Sequence, residues 1–151
     1  MKMPITVRPG ERVSVLIVDD EPEIREMLRE FLESMDCFNF IVEAEDGHRA
    51  ITKAQNQRFD LIISDFKMPK MDGLSFIKHL RASKDDKNIK TPFLFLSGNF
   101  TKDTIALALE KEVRYFIAKP FNGETFVQKV EEILLKEKRD KIKPVALKRA
   151  Q

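Results

Sequence analysis

Cysteine occurs once, at Cys37, tryptophan does not occur, and glycine takes only 5 of 151 positions. A lone cysteine cannot close an internal disulfide and has no partner thiols for a thiolate metal site. With 5 Gly and 7 Pro, the chain is neither collagen-like nor of low complexity, and 42% hydrophobic beside 34% charged residues excludes a disordered one. No apolar run approaches the roughly 18 residues of a membrane span. Met1 to Gly10 lacks the apolar centre of a signal peptide. These absences point to a protein of a reducing cytoplasm. Its length suits one domain that buries roughly 70% of its unfolded surface and needs no staple.

A charge excess of one sign is missing as well. The net charge is +2, but Lys136 to Gln151 carries a net of +5, which leaves about −3 for the remainder. A wholly basic fold would suggest nucleic acid, whereas here the basicity sits in a tail. That tail contains Pro144 and loses apolar periodicity past Arg139. It is expected to be solvated, so that removing 140–151 leaves folding intact.

Short, nearly continuous apolar runs occupy Val13 to Val18, Leu61 to Ser64 and Phe93 to Leu96, with weaker ones at Phe38 to Glu43 and Val113 to Ala118. Runs of this kind predict strands buried on both faces of a parallel sheet. Between them lie helical patterns. Ile24, Met27, Leu28, Phe31, Leu32 and Met35 follow amphipathic spacing, and Pro22 suits the first helical turn. Further patterns cover Gly47 to Gln55, Leu74 to Arg81, Thr101 to Lys111 and about Asn122 to Lys138. Ala82 to Thr91 reads as a polar loop. Strand and helix alternate five times, which predicts an α/β domain with a five-stranded, doubly wound parallel sheet.

In such a sheet, ligands bind beyond the carboxyl ends of the strands. Asp19 and Asp20 end the first predicted strand, Asp65 the third, Ser97 the fourth, and Lys119-Pro120 the fifth. Any one of these has an ordinary explanation as a dipole-complementing acid, a turn residue, a cap or a surface lysine. Their joint occurrence argues for a site. Clustered carboxylates repel one another unless a cation enters. Oxygen-only ligands in an open site suit Mg²⁺ or Mn²⁺. A metal together with Lys119 would neutralise phosphoryl oxygens and leave Asp65 as a nucleophile, which is acyl-phosphate chemistry.

Four stretches carry a resemblance: Val15-Leu16-Ile17-Val18-Asp19-Asp20-Glu21-Pro22, Asp65-Phe66-Lys67-Met68-Pro69-Lys70-Met71-Asp72-Gly73, Leu96-Ser97-Gly98, and Ala118-Lys119-Pro120-Phe121, with Ala44-Glu45-Asp46-Gly47 beside them. In this order and spacing the chain resembles a stand-alone response-regulator receiver domain of two-component signalling. The likeness covers about 12–138, leaving an N-terminal extension over 1–11 and a basic tail over 139–151. It implies a CheY-like, flavodoxin-like (βα)5 fold.

The resemblance also implies roles. Asp65 would accept a phosphoryl group from a sensor histidine kinase or phosphotransfer protein. Asp19, Asp20, Asp65 and the backbone carbonyl of Lys67 would hold the metal. Lys119 and Ser97 would contact the phosphoryl group, and Phe116 would act as the aromatic switch. The Lys119–Pro120 peptide would be cis. Lys67 would tune the lifetime of the phosphorylated form, and the face of the fourth helix, fifth strand and fifth helix would meet an unknown downstream protein. Such a switch is not an enzyme beyond its own phosphorylation and dephosphorylation.

Ser97 stands where the family more often has Thr, Phe116 where Tyr is frequent, and Glu110 to Arg114 where a Gly-Ala pair is common. A phosphatase of the haloacid-dehalogenase type would need a second Asp two residues after its nucleophile, and Lys67 occupies that position. A flavin or nucleotide binder would need a Gly-rich loop after a strand, which is missing. Too few residues follow Lys138 for a helix-turn-helix DNA-binding domain. His48 and His79 are expected on helix surfaces, Cys37 as a small core residue, and Met68 and Met71 as loop packing.

Overall fold

The protein is described here by a computed structural model covering residues 5–82 and 87–145. Residues 83–86 of the predicted polar loop and 146–151 of the predicted tail lie outside the described residues. The elements run β1 (Ile5–Val7), β2 (Ser14–Val18), α1 (Pro22–Ser34), β3 (Phe40–Ala44), α2 (Gly47–Asn56), β4 (Leu61–Asp65), α3 (Gly73–Leu80), β5 (Phe93–Ser97), α4 (Lys102–Glu110), β6 (Tyr115–Ala118), α5 (Gly123–Glu137) and β7 (Ile142–Pro144).

β2 to β6 form a parallel five-stranded sheet in the order β3-β2-β4-β5-β6, the doubly wound flavodoxin-like arrangement. The three inner strands are buried along their whole length, which is why their sequences read as continuous apolar runs. Successive side chains feed two separate cores. Val15, Ile17, Leu61, Ile63, Leu94 and Leu96 pack with Leu28 and Leu32 of α1 and Phe126, Val130 and Ile133 of α5. Leu16, Val18, Ile62, Phe93 and Phe95 pack with residues of α2, α3 and α4.

Helix starts follow local chemistry. The side chains of Asp46, Asp72, Thr101 and Asn122 each accept from a backbone N–H in the first turn of α2, α3, α4 and α5, each cap contributing about 1 kcal/mol. α1 begins differently, with Pro22 in its first turn and no side-chain cap from Glu21. At the far end of α4, Glu112 takes the left-handed conformation at φ +64° while Glu112 and Val113 N–H groups close onto Leu109 and Ala108. The helix thus ends in a conformation that glycine adopts most readily, at a cost of about 1–2 kcal/mol for a residue with a side chain.

The solvated tail expected from residue 139 does not hold for 142–144. β7 pairs antiparallel with β1, Ile5 opposite Pro144 and Val7 opposite Ile142. Ile142 is 1% exposed and belongs to the α1/α5 core. Part of the basic charge is also spent inside. Asp60, 3% exposed, lies 3.2 Å from Lys138 Nζ and 3.0 Å from Lys141 Nζ, and accepts from Ser14 N–H at 2.9 Å. The period was too short to be read, because a strand of 3 residues shows less than two cycles of alternation. Ile142→Ala is expected to lower the unfolding free energy by about 2–5 kcal/mol. A urea midpoint equal to wild type would show that the ribbon does not pack.

Candidate functional site

The parallel register brings the carboxyl ends of β2, β4, β5 and β6 to one edge. Asp19 continues β2, its N–H donating to the Ala44 carbonyl at 3.2 Å. Asp65 is the last residue of β4, opposite Leu96. Ser97 closes β5, and its carbonyl accepts from Lys119 N–H at 2.8 Å. The Lys119–Pro120 peptide is cis.

Asp19, Asp20 and Asp65 each bring an oxygen within 4.8 Å of the others. Lys119 Nζ reaches into the group, 3.2 Å from Asp65 Oδ1 and 3.9 Å from Asp19 Oδ2. Asp19 is fully buried. Its Oδ1 accepts from Glu21 N–H at 2.9 Å. Its Oδ2 has no hydrogen-bond partner. Burial raises the Asp19 pKa from 3.8 to about 6. The Glu21 N–H and Lys119 oppose that shift, and the charges of Asp65 and Asp20 add to it. An unpartnered buried carboxylate oxygen flanked by two further carboxylates is a hard-oxygen donor set. These residues fit a divalent cation.

The segment after Asp65 is pinned to the sheet. Phe66 N–H donates to the Leu96 carbonyl at 2.9 Å, and Gly73 N–H returns to the Phe66 carbonyl at 2.8 Å. A Cβ on Gly73 would lie 2.8 Å from the Asp65 carbonyl oxygen and 2.6 Å from a Phe95 ring carbon, so this position has no room for any side chain. Met68 is buried and Met71 packs on Gly47, the loop packing expected of them. Lys67 is exposed and forms no side-chain hydrogen bond or ion pair among the described residues.

Ser97 is 5% exposed, and its hydroxyl accepts from Asn99 N–H at 3.1 Å. Phe116 is half-buried. Its ring meets Phe100 edge-on at 5.3 Å, and Phe100 meets Phe66 edge-on at 6.0 Å. A chain of rings thus leads from the residue after Asp65 to Phe116. Sequence reasoning missed Phe66 and Phe100, whose only signal was aromatic residues next to two strand-end polar groups. It also missed Arg25, which donates to the Asp19 carbonyl at 2.6 Å. His48 and His79 are exposed on α2 and α3. Burial pushes the Cys37 thiol up to about 12, which leaves it unreactive.

Residues 15–131 match the family model of the response regulator receiver domain. The chemotaxis protein CheY-3 of Vibrio cholerae is 30% identical over 124 residues, 82% of this chain and 93% of that protein. The solved CheY4 of Vibrio cholerae superposes with a TM-score of 0.74 at 33% identity, over 82% of this chain and 100% of that one. The receiver domain of a Pseudomonas aeruginosa sensor histidine kinase, solved with magnesium in its active site cleft, shares the fold at TM-score 0.67 and 24% identity, over 84% of this chain and 98% of that one.

Because the folded chain holds the Asp19 proton more tightly than the unfolded chain, the contribution of this group to metal-free stability is greatest below pH 3.8, falls as pH rises, and levels off above about 6. Asp19→Asn is expected to remove that fall and to stabilise the metal-free protein at neutral pH by on the order of 2–3 kcal/mol. Urea unfolding in a chelator between about pH 4 and 7 measures it, and parallel curves for the two proteins would contradict it.

Proposed function

The chain belongs to the response regulator receiver domain family, whose members are signalling switches, and we propose that it accepts a phosphoryl group on Asp65 and changes the face it offers to a downstream protein. The observation that carries this reading is the pair of buried acids, Asp19 and Asp65, bridged by Lys119 at an open strand edge. Asp19, Asp20, Asp65 and the backbone carbonyl of Lys67 would hold Mg²⁺ or Mn²⁺, which when bound supplies positive charge opposite the phosphoryl oxygens.

An Asp65 carboxylate oxygen attacks the phosphorus of a phosphohistidine on a sensor kinase or phosphotransfer protein. The new O–P bond forms as the P–N bond breaks and the imidazole leaves. Lys119, already 3.2 Å from Asp65 Oδ1, pairs with the phosphoryl oxygens. Ser97 exchanges its bond to the Asn99 N–H for one that its hydroxyl donates to the phosphoryl group. Phe116 turns inward, and the face of α4, β6 and α5 changes for its partner. Energetically this is a shift between two states, so phosphorylation needs to favour one of them by only a few kcal/mol. The work of such a switch is done in the cytoplasm, where kinase and partner meet. A haloacid-dehalogenase-like phosphatase is disfavoured, since the residue two after Asp65 is Lys67 and not an acid.

With acetyl phosphate and Mg²⁺ the protein is expected to take up label at one site, and Asp65→Asn to abolish it. Label that persists in the variant would refute the assignment. A second expectation concerns duration. The exposed Lys67 stem would screen the phosphorus from in-line water, while Lys119, with the metal when bound, would supply the charge. Lys67→Ala should therefore shorten the phosphorylated lifetime about 3- to 10-fold, on the order of 1 kcal/mol in barrier. A phosphate-release time course that is unchanged or slower removes the screening role.

A further inference from the structure

Two arginines one turn apart on α1 hold the same acid on the neighbouring strand. Arg25 Nε lies 3.1 Å from Glu43 Oε1, and Arg29 Nε lies 2.7 Å from Glu43 Oε2. Each guanidinium also donates to a backbone carbonyl, and here they differ. Arg29 Nη2 donates to Ile41, within β3, at 2.8 Å. Arg25 Nη1 donates to Asp19, at the end of β2, at 2.6 Å. Arg25 is also the more enclosed, its side chain 15% exposed against 34% for Arg29.

The Asp19 carbonyl belongs to the peptide that joins Asp19 to Asp20. The rest of Asp19 is fixed at its N–H by Ala44 and at Oδ1 by Glu21 N–H. Asp20, by contrast, is exposed, and its side chain makes no hydrogen bond or ion pair among the described residues. Its carboxylate is therefore aimed by its backbone alone, and Arg25 is the side chain that holds that peptide plane. Glu43 in turn holds Arg25, so the acid on β3 acts on the site through the arginine.

We propose that Arg25, anchored on Glu43, is a positioning residue that sets the Asp19–Asp20 peptide so that both carboxylates converge with Asp65 on a divalent cation. The proposal rests on the reading of this cluster as the receiver's metal site. It requires a fork, because Nε and Nη1 bond different oxygens at the same time, and an ammonium delivers one point charge to one of them. Groups that orient metal ligands in this way typically change metal affinity by about 10- to 100-fold when removed.

The test is a Mg²⁺ titration of the free protein, followed by amide chemical shifts, for wild type, Arg25→Met, Arg25→Lys and Arg29→Met, with urea unfolding of each. Arg25→Met is expected to bind Mg²⁺ about 10-fold more weakly. Arg25→Lys, the milder change to the fold, should share most of that loss. Arg29→Met loses its own contact to Glu43 but touches nothing in the site, and should bind as wild type does. In acetyl phosphate labelling, Arg25→Met should need about 10-fold more Mg²⁺ for half-maximal rate and approach the wild-type rate at saturation. Equal weakening in the Arg25 and Arg29 variants, or wild-type affinity in both Arg25 variants, overturns the positioning role. A wild-type chain that takes up no Mg²⁺ overturns the functional reading itself, and the positioning role with it.

Discussion

A carboxylate with no exposure and one oxygen left without a partner is costly, and in Asp19 that cost is met in part by two neighbours, the Glu21 N–H and the Lys119 ammonium. Unpaired, such a charge costs several kcal/mol in a protein interior. The surroundings are arranged around keeping it. β2 must end where it does for Asp19 to bond Ala44, α1 must begin at once for Glu21 to reach back, and β6 must lie on the far side of β4 and β5 for Lys119 to arrive from there. An order other than β3-β2-β4-β5-β6 would separate these groups. The sheet topology and the electrostatics of the site are one constraint seen at two scales.

Next to this polar cluster lies a wholly apolar one. Phe66, Phe95, Phe100 and Phe116 contact one another at ring separations of 5.2–6.4 Å, in mostly edge-on pairs. Such contacts are favourable by about 0.5–1.5 kcal/mol each beyond their buried area, without the directional demand of a hydrogen bond. A phenol at 116 would add such a demand, and Phe116 has none. Any movement of Phe116 would therefore trade one ring packing for another, beginning with its contact to Phe100, which is edge-on to both Phe116 and Phe66. The loop that carries Phe100 follows Ser97 directly. The proposed switch would thus pass through packed rings that join Phe66, the neighbour of Asp65, to Phe116.

The opposite end of the sheet serves stability. There Asp60 receives Lys138, Lys141 and the Ser14 N–H, and Ile142 closes the core under α1 and α5. Asp60 and Asp19 are both deeply buried acids, yet their surroundings differ in kind. Every oxygen of Asp60 meets a cation or an N–H within 3.2 Å, whereas Asp19 Oδ2 has no hydrogen-bond partner and has Lys119 Nζ only at 3.9 Å. The first arrangement holds chain ends to the domain. The second fits a divalent cation.

Much of this was legible before any coordinates. Continuous apolar runs named the five strands of the parallel sheet, 3.6-residue spacing named the helices, and polar residues at the strand ends named Asp19, Asp20, Asp65, Ser97 and Lys119. These signals are local, since burial on one face or two imposes a period on neighbouring residues. The three-residue ribbon strands were too short to show a period, and Lys138 and Lys141 read as solvated because their partner Asp60 lies some 80 positions away. Nor could composition foretell that Arg25, on a helix face where an arginine is expected in solvent, would hold the carbonyl of Asp19, or that Phe100 would bridge Phe66 and Phe116. The sequence by itself determined which groups stand at the strand ends and which surfaces are apolar. Which oxygen of Asp19 is satisfied, which is left open, and which cation reaches it were decided only by the tertiary structure. Hydrogen bonds and ion pairs act over about 3–4 Å, and only packing brings distant residues that close.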